Sequence, residues 1–156
     1  MPVGFSIIDD IYDHVDKMTI NNMTEKELLD RAEWIAQDME RRNIINADEL
    51  ATCRNRSTQD ADLYAERWGT KIRNLRYIQY FAGCVKTVWK KYLVSLLASP
   101  DWYTKVTLQL TDDNRLTLID LPSEELQNIY HTCDKRIDKL LNLTDMMEDH
   151  EEYSDQ

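Results

Sequence analysis

The chain has 156 residues and a formal net charge of −10, with 42% hydrophobic and 31% charged residues. That size suits one domain able to close a core without disulfide or metal staples, and the acidic balance argues against indiscriminate nucleic-acid binding. Three glycines and three prolines leave few chain breakers, which favours long helices.

The longest apolar stretch is interrupted by Lys90 and Lys91 and falls short of the roughly 20 residues that span a bilayer, so no membrane association is expected. The N-terminal Met1-Pro-Val-Gly-Phe-Ser lacks the basic and long apolar regions of a secretory signal, and Asp9 and Asp10 follow at once. A cytoplasmic location, or a host cytoplasm for a viral protein, is the expectation. Cys53, Cys84 and Cys133 lie far apart with no CxxC pair and read as reduced thiols, with Cys84 and Cys133 as small core residues.

Charge is distributed in blocks. Residues 1–52 carry 12 acids and 5 bases, residues 53–109 carry 4 acids and 10 bases, and residues 110–156 carry 13 acids and 4 bases. A basic middle between acidic flanks suits contact with phosphates or with an acidic partner.

Phe5, Ile8, Ile11, Tyr12, Val15 and Met18 recur at helical spacing with Asp9, Asp10, Asp13 and Asp16 between them. The spacing predicts a first amphipathic helix ending near Met18. Thr24-Glu-Lys-Glu27 is a capping-box signature and opens a second helix, whose Leu28, Ala32, Ile35 and Met39 face inward as far as about Arg42. Residues 43–59 read as a polar connection with one helical turn at 47–52. From about 59 to 99 no proline occurs, and Trp68, Ile72, Leu75, Ile78, Ala82, Val85, Trp89, Tyr92 and Leu96 step by three or four. This predicts a long central helix, with Gly69 or Gly83 as the place for a kink and Pro100 as its stop.

Period-two alternation in Tyr103–Leu110 and Arg115–Leu121, around a Thr111-Asp-Asp-Asn114 turn, predicts a β-hairpin over about 103–121. Ser123-Glu-Glu then caps a last helix with Leu126, Ile129, Tyr130, Cys133, Ile137, Leu140 and Leu141 on one stripe. The fold class is mainly α: one four-helix domain over residues 1–144, with a long central helix and a hairpin before the last helix. The acid-rich residues 145–156 have little to bury and are expected to form a disordered tail.

Catalytic constellations are scarce. His14, His131 and His150 sit in separate segments with no i, i+4 pair to present a metal, and no G-x-S-x-G elbow or glycine-rich phosphate loop occurs. No cofactor or metal is expected. The enzyme alternative is a magnesium-dependent all-α nucleotide pyrophosphatase, in which paired carboxylates on neighbouring helices hold magnesium over substrate phosphates. Glu27, Asp30 and Glu33 make a carboxylate row, but Asp62 and Glu66 are four apart and in the wrong order, a departure from the E-x-x-E and E-x-x-D pattern of that class.

At 100° per residue, Arg73, Arg76, Tyr80, Thr87, Lys90 and Lys91 fall opposite Ile78, Val85 and Trp89. This basic stripe, at Arg73, Arg76, Tyr80, Lys90 and Lys91, is one candidate binding surface, with nucleic acid or a protein as its partner. A second is an acidic face at Asp9, Asp13, Asp16, Glu25 and Asp30, which would present carboxylates to a basic partner. The residues favour a non-enzymatic acidic interaction protein, an adaptor, inhibitor or accessory subunit that binds a macromolecule through charged helical faces. A nucleic-acid-associated subunit using the basic stripe is the alternative.

Overall fold

A computed structural model describes residues 15–101 and 121–154, with side chains described as far as residue 143. The described residues form five helices: α1 Lys17–Asn21, α2 Glu25–Arg41, α3 Ala47–Asp62, α4 Ala65–Ala98 and α5 Leu121–Ser154. The mainly α class therefore holds, and among the described residues there is no strand. The hairpin expected at 103–121 lies outside them except for Leu121, which is helical.

Local chemistry sets most helix ends. At α2 both halves of the capping box form: Glu27 N–H donates to Thr24 Oγ1 and Thr24 N–H donates to Glu27 Oε1, each at 3.2 Å. The helix closes through Asn43, whose φ of +60° suits an Asn. Ile44 N–H then reaches Met39 O at 2.9 Å and Asn43 N–H reaches Glu40 O at 3.0 Å, the paired bonds of a Schellman ending.

Residues 43–59 are not a polar connection: α3 is a full helix of 16 residues. Asn46 caps it reciprocally with Glu49, at 2.7 Å and 3.2 Å. Its buried stripe is Leu50, Cys53, Ser57 and Ala61. Those residues keep helical spacing, but three of them are small or polar, so hydrophobic periodicity hides the face they share.

The long helix also differs from its expected 59–99 span. Residues 59–62 belong to α3, and within α4 Gly69 takes φ +82° and ψ 176°, a region open in practice to glycine. The first turn of α4 is thereby set off from a continuous run over 70–98, so the kink falls at Gly69 and not at Gly83. Ser99, in extended conformation before Pro100, ends the run.

α5 is already helical at Leu121, two residues before the expected Ser123 cap. Ser123 and Glu125 are buried, so these polar residues serve the interior of the fold and not a solvated helix start. No glycine or proline follows Pro122, and the backbone of α5 stays helical through Ser154. The acidic residues expected to form a tail continue the helix as far as Ser154, consistent with the low cost of extending a helix once it is nucleated.

The core lies around α4, which packs most extensively on α5 and α3 and also meets α2. Ile72, Leu75, Ile78, Phe81, Ala82, Val85 and Trp89 are all at most 4% exposed. They meet Leu28, Ile35 and Met39 of α2, Leu50 and Cys53 of α3, and Leu126, Ile129, Cys133 and Ile137 of α5 in one cluster. Trp68, expected in the core, is half-buried with the Arg67 guanidinium 4.6 Å from its ring centre. Among the described residues no helix is long and apolar enough to cross a membrane.

The glycines of α4 make opposite predictions. A Cβ at Gly69 meets nothing within 4 Å, so Gly69→Ala suffers from backbone conformation alone and is expected to lose about 1–3 kcal/mol in urea denaturation. A Cβ at Gly83 makes ordinary contact with the Tyr130 ring at 3.5 Å, so Gly83→Ala is expected to gain about 0.5–1 kcal/mol.

Candidate functional site

The basic stripe does not survive folding as one surface. Arg73 Nε donates to Asp62 at 2.9 Å, and its guanidinium lies 5.6 Å from the Tyr77 ring centre. Arg76 is drawn further in, with 18% side-chain exposure. Its Nη1 donates to Gln79 Oε1 at 2.8 Å and lies 3.7 Å from Asp134 Oδ1. Its guanidinium also sits 4.9 Å from the Tyr64 ring centre. Gln79, fully buried, passes the connection on by donating from Nε2 to Asp134 at 3.1 Å. Tyr80 donates to the Tyr64 hydroxyl at 3.2 Å, and burial is the largest cause of a phenol pushed up to about 12. Lys90 and Lys91 are exposed at the far end of α4. Arg73, Arg76 and Tyr80 thus brace α4 within the fold, apart from the two lysines.

The acidic face is divided too. Asp9 and Asp13 lie outside the described residues. Asp16 caps α1, accepting from Thr19 N–H at 2.9 Å, and Asp30 is exposed on α2. Glu25, expected among acids, stands against cations in the groove described below. In the carboxylate row, Glu27 completes the α2 cap and Glu33 binds Arg54 of α3 at 2.6 Å. Among the described residues no group of three or more His, Cys, Asp or Glu side chains is placed to hold a metal ion.

A buried charged contact that spacing does not reveal joins three segments. Glu125, on α5 and 3% exposed at its side chain, accepts from Arg31 Nε and Nη2 of α2 at 2.7 to 3.0 Å and from the Val15 amide before α1. Arg31 in turn lies 4.5 Å from the Trp34 ring centre. Near the C-terminal end of α2, Asp38 accepts from Arg41 at 2.6 Å and from Arg42 at 2.9 Å. The two cations offset a carboxylate placed at the negative end of the helix dipole.

An open groove of about 280 Å³ lies between α4 and α5, beside the start of α2. Among the described residues its cations are Lys71, Arg136 and Lys139, its apolar residues are Leu75, Leu140 and Leu143, and its acid is Glu25. Arg136 is fixed there by donating from Nη2 to the Asn21 carbonyl at 3.1 Å and to the Met23 carbonyl. Lys71 and Lys139 are exposed, Leu75 is buried and Leu143 is 49% exposed. Three cations around apolar side chains hold carboxylates or phosphates by charge-assisted hydrogen bonds while giving an aliphatic or aromatic anchor a dry contact. The groove unites one residue of the basic middle with two from an acid-rich flank, a grouping that block charge does not reveal. Helical spacing does put Arg136, Lys139, Leu140 and Leu143 on one side of α5, and that was the available signal.

Comparison with protein-family models, with curated protein sequences and with solved structures gives no match, which leaves function to the chemistry of the site.

The buried pair makes a stability prediction. Arg31→Met strands the Glu125 carboxylate in the interior and is expected to cost about 3–5 kcal/mol by urea denaturation. Lys91→Met, on the exposed face, is expected to stay within about 0.5 kcal/mol of the parent protein.

Proposed function

We propose that the protein is a non-enzymatic interaction protein that receives an acidic segment of a partner protein in the α4–α5 groove. The observation that supports this reading is the grouping of Lys71, Arg136 and Lys139 around Leu75, Leu140 and Leu143. A partner segment with two or three carboxylates beside leucine or methionine anchors complements both the charge and the apolar floor. The formal charge of −10 adds register, because an acidic segment is repelled by most of the surface and attracted locally at the groove. Arg136, already tied to two backbone carbonyls, loses little further freedom on binding.

The nucleic-acid reading is weaker, because two of its four cations, Arg73 and Arg76, are engaged with Asp62 and Asp134. Its other two cations, Lys90 and Lys91, are exposed.

The test is fluorescence anisotropy on a panel of acidic peptides with leucine or methionine at i, i+4, alongside neutral versions of the same peptides and a single-stranded oligonucleotide. Binding is expected for the acidic set, and Lys71→Glu/Lys139→Glu is expected to weaken it by about tenfold or more, equivalent to roughly 1.4 kcal/mol. Lys90→Glu/Lys91→Glu is expected to leave it unchanged. Oligonucleotide binding abolished by the second variant, with no peptide binding, overturns the proposal in favour of the nucleic-acid reading.

A further inference from the structure

The contacts between α4 and α5 step in opposite directions along the chain, so the two helices run antiparallel. Lys86 donates to Gln127, Gly83 lies against Tyr130, Gln79 donates to Asp134, and Lys71 shares the groove with Leu143. The continuous run of α4 starts at residue 70, so α5 comes to the end of that support near Leu143. Its backbone nonetheless stays helical through Ser154, which carries α5 roughly 15 Å further at 1.5 Å per residue. A stretch that short gains little helical stability on its own.

The sequence of these last turns complements the groove. Residues 144–154 hold five acids and no Lys or Arg, so the stretch is strongly negative. At 100° per residue, positions 144, 147, 148 and 151 continue the stripe of Ile137, Leu140 and Leu141 that packs on the core. The residues there are Thr144, Met147, Glu148 and Glu151. One methionine with two carboxylates on one side of a helix matches Lys71 and Lys139 around Leu75, Leu140 and Leu143 in both charge and apolar character. A continuous helix carries this segment away from the groove that its own earlier residues line, so segment and groove can meet only between molecules.

We propose that two copies of the protein associate reciprocally, the last turns of α5 of each copy seated in the α4–α5 groove of the other. This inference rests on the reading of the groove as a receptor for an acidic segment, and it names a second copy as the molecule that supplies the segment. Each copy offers one groove and one acidic helix end, so a closed pair with two-fold symmetry satisfies both. Seating the helix end also covers Leu143, which is 49% exposed in the single chain. The formal charge of −10 on each copy opposes contact over most of the surface, so the pair depends on this local complementarity.

The experiment is sedimentation velocity over a wide range of protein concentration, in which the parent protein is expected to pass from monomer to dimer. Lys71→Glu/Lys139→Glu and Glu148→Lys/Glu151→Lys, each checked for helicity by circular dichroism, are each expected to raise the dissociation constant by about tenfold or more. An equimolar mixture of the two variants is expected to dimerise again. The reversed groove of one then meets the reversed helix end of the other, and the two unaltered surfaces match as before. Dimers that both variants leave intact, or a mixture that stays monomeric, overturn the proposal. Species that keep growing past the dimer overturn the closed pair. A parent protein that stays monomeric at every concentration also overturns it, and the acidic-peptide titration then separates the two readings. Peptides still held in the groove leave the acidic-segment reading standing with a different protein as partner, whereas no peptide binding removes both.

Discussion

Ile72, Leu75, Ile78, Phe81, Ala82, Val85 and Trp89 are all nearly or fully buried, and they are buried against several partners at once because α4 meets α2, α3 and α5. A surface helix needs one apolar stripe and leaves its opposite face to water. A helix covered on more than one side must find interior partners for the polar groups it also carries. That constraint governs much of what surrounds α4. Gln79 is buried and bonded to Arg76 and Asp134, Tyr80 is bonded to Tyr64, and Arg73 returns to Asp62 at the end of α3.

Charge therefore works here chiefly as a connector between helices. Arg31–Glu125 links α2 to α5, Arg54–Glu33 links α3 to α2, and Arg76–Asp134 links α4 to α5. A buried ion pair contributes modestly to net stability, because desolvation offsets much of its attraction, but misaligning it is costly. Glu125 is the sharpest case. It accepts from Arg31 and from the Val15 amide, so a slip of α5 by one turn would strand two donors and a carboxylate together. The α4–α5 groove gathers Lys71, Arg136 and Lys139 at one place.

α3 buries small side chains, Cys53, Ser57 and Ala61, where it packs extensively on α4. Gly83 plays a related part on another side of α4, where Tyr130 of α5 lies against it.

The sequence by itself determined the helical class, the α2 capping box, the Pro100 stop and the apolar stripes of α2, α4 and α5, because each depends on residues within a few positions of one another. Even α3 carried a local signal, since Asn46 and Glu49 are three apart, although a stripe of Cys53, Ser57 and Ala61 is too weakly hydrophobic to stand out. Tertiary structure alone decided which charged residues face water. Arg73 and Lys91 look equivalent on a helical wheel, yet one meets Asp62 and the other stays exposed, because the deciding neighbour comes from another helix. The same reason separates Glu25, which joins a basic groove, from the acids near it in sequence. Contacts between helices depend on how whole faces pack, and no local spacing encodes that.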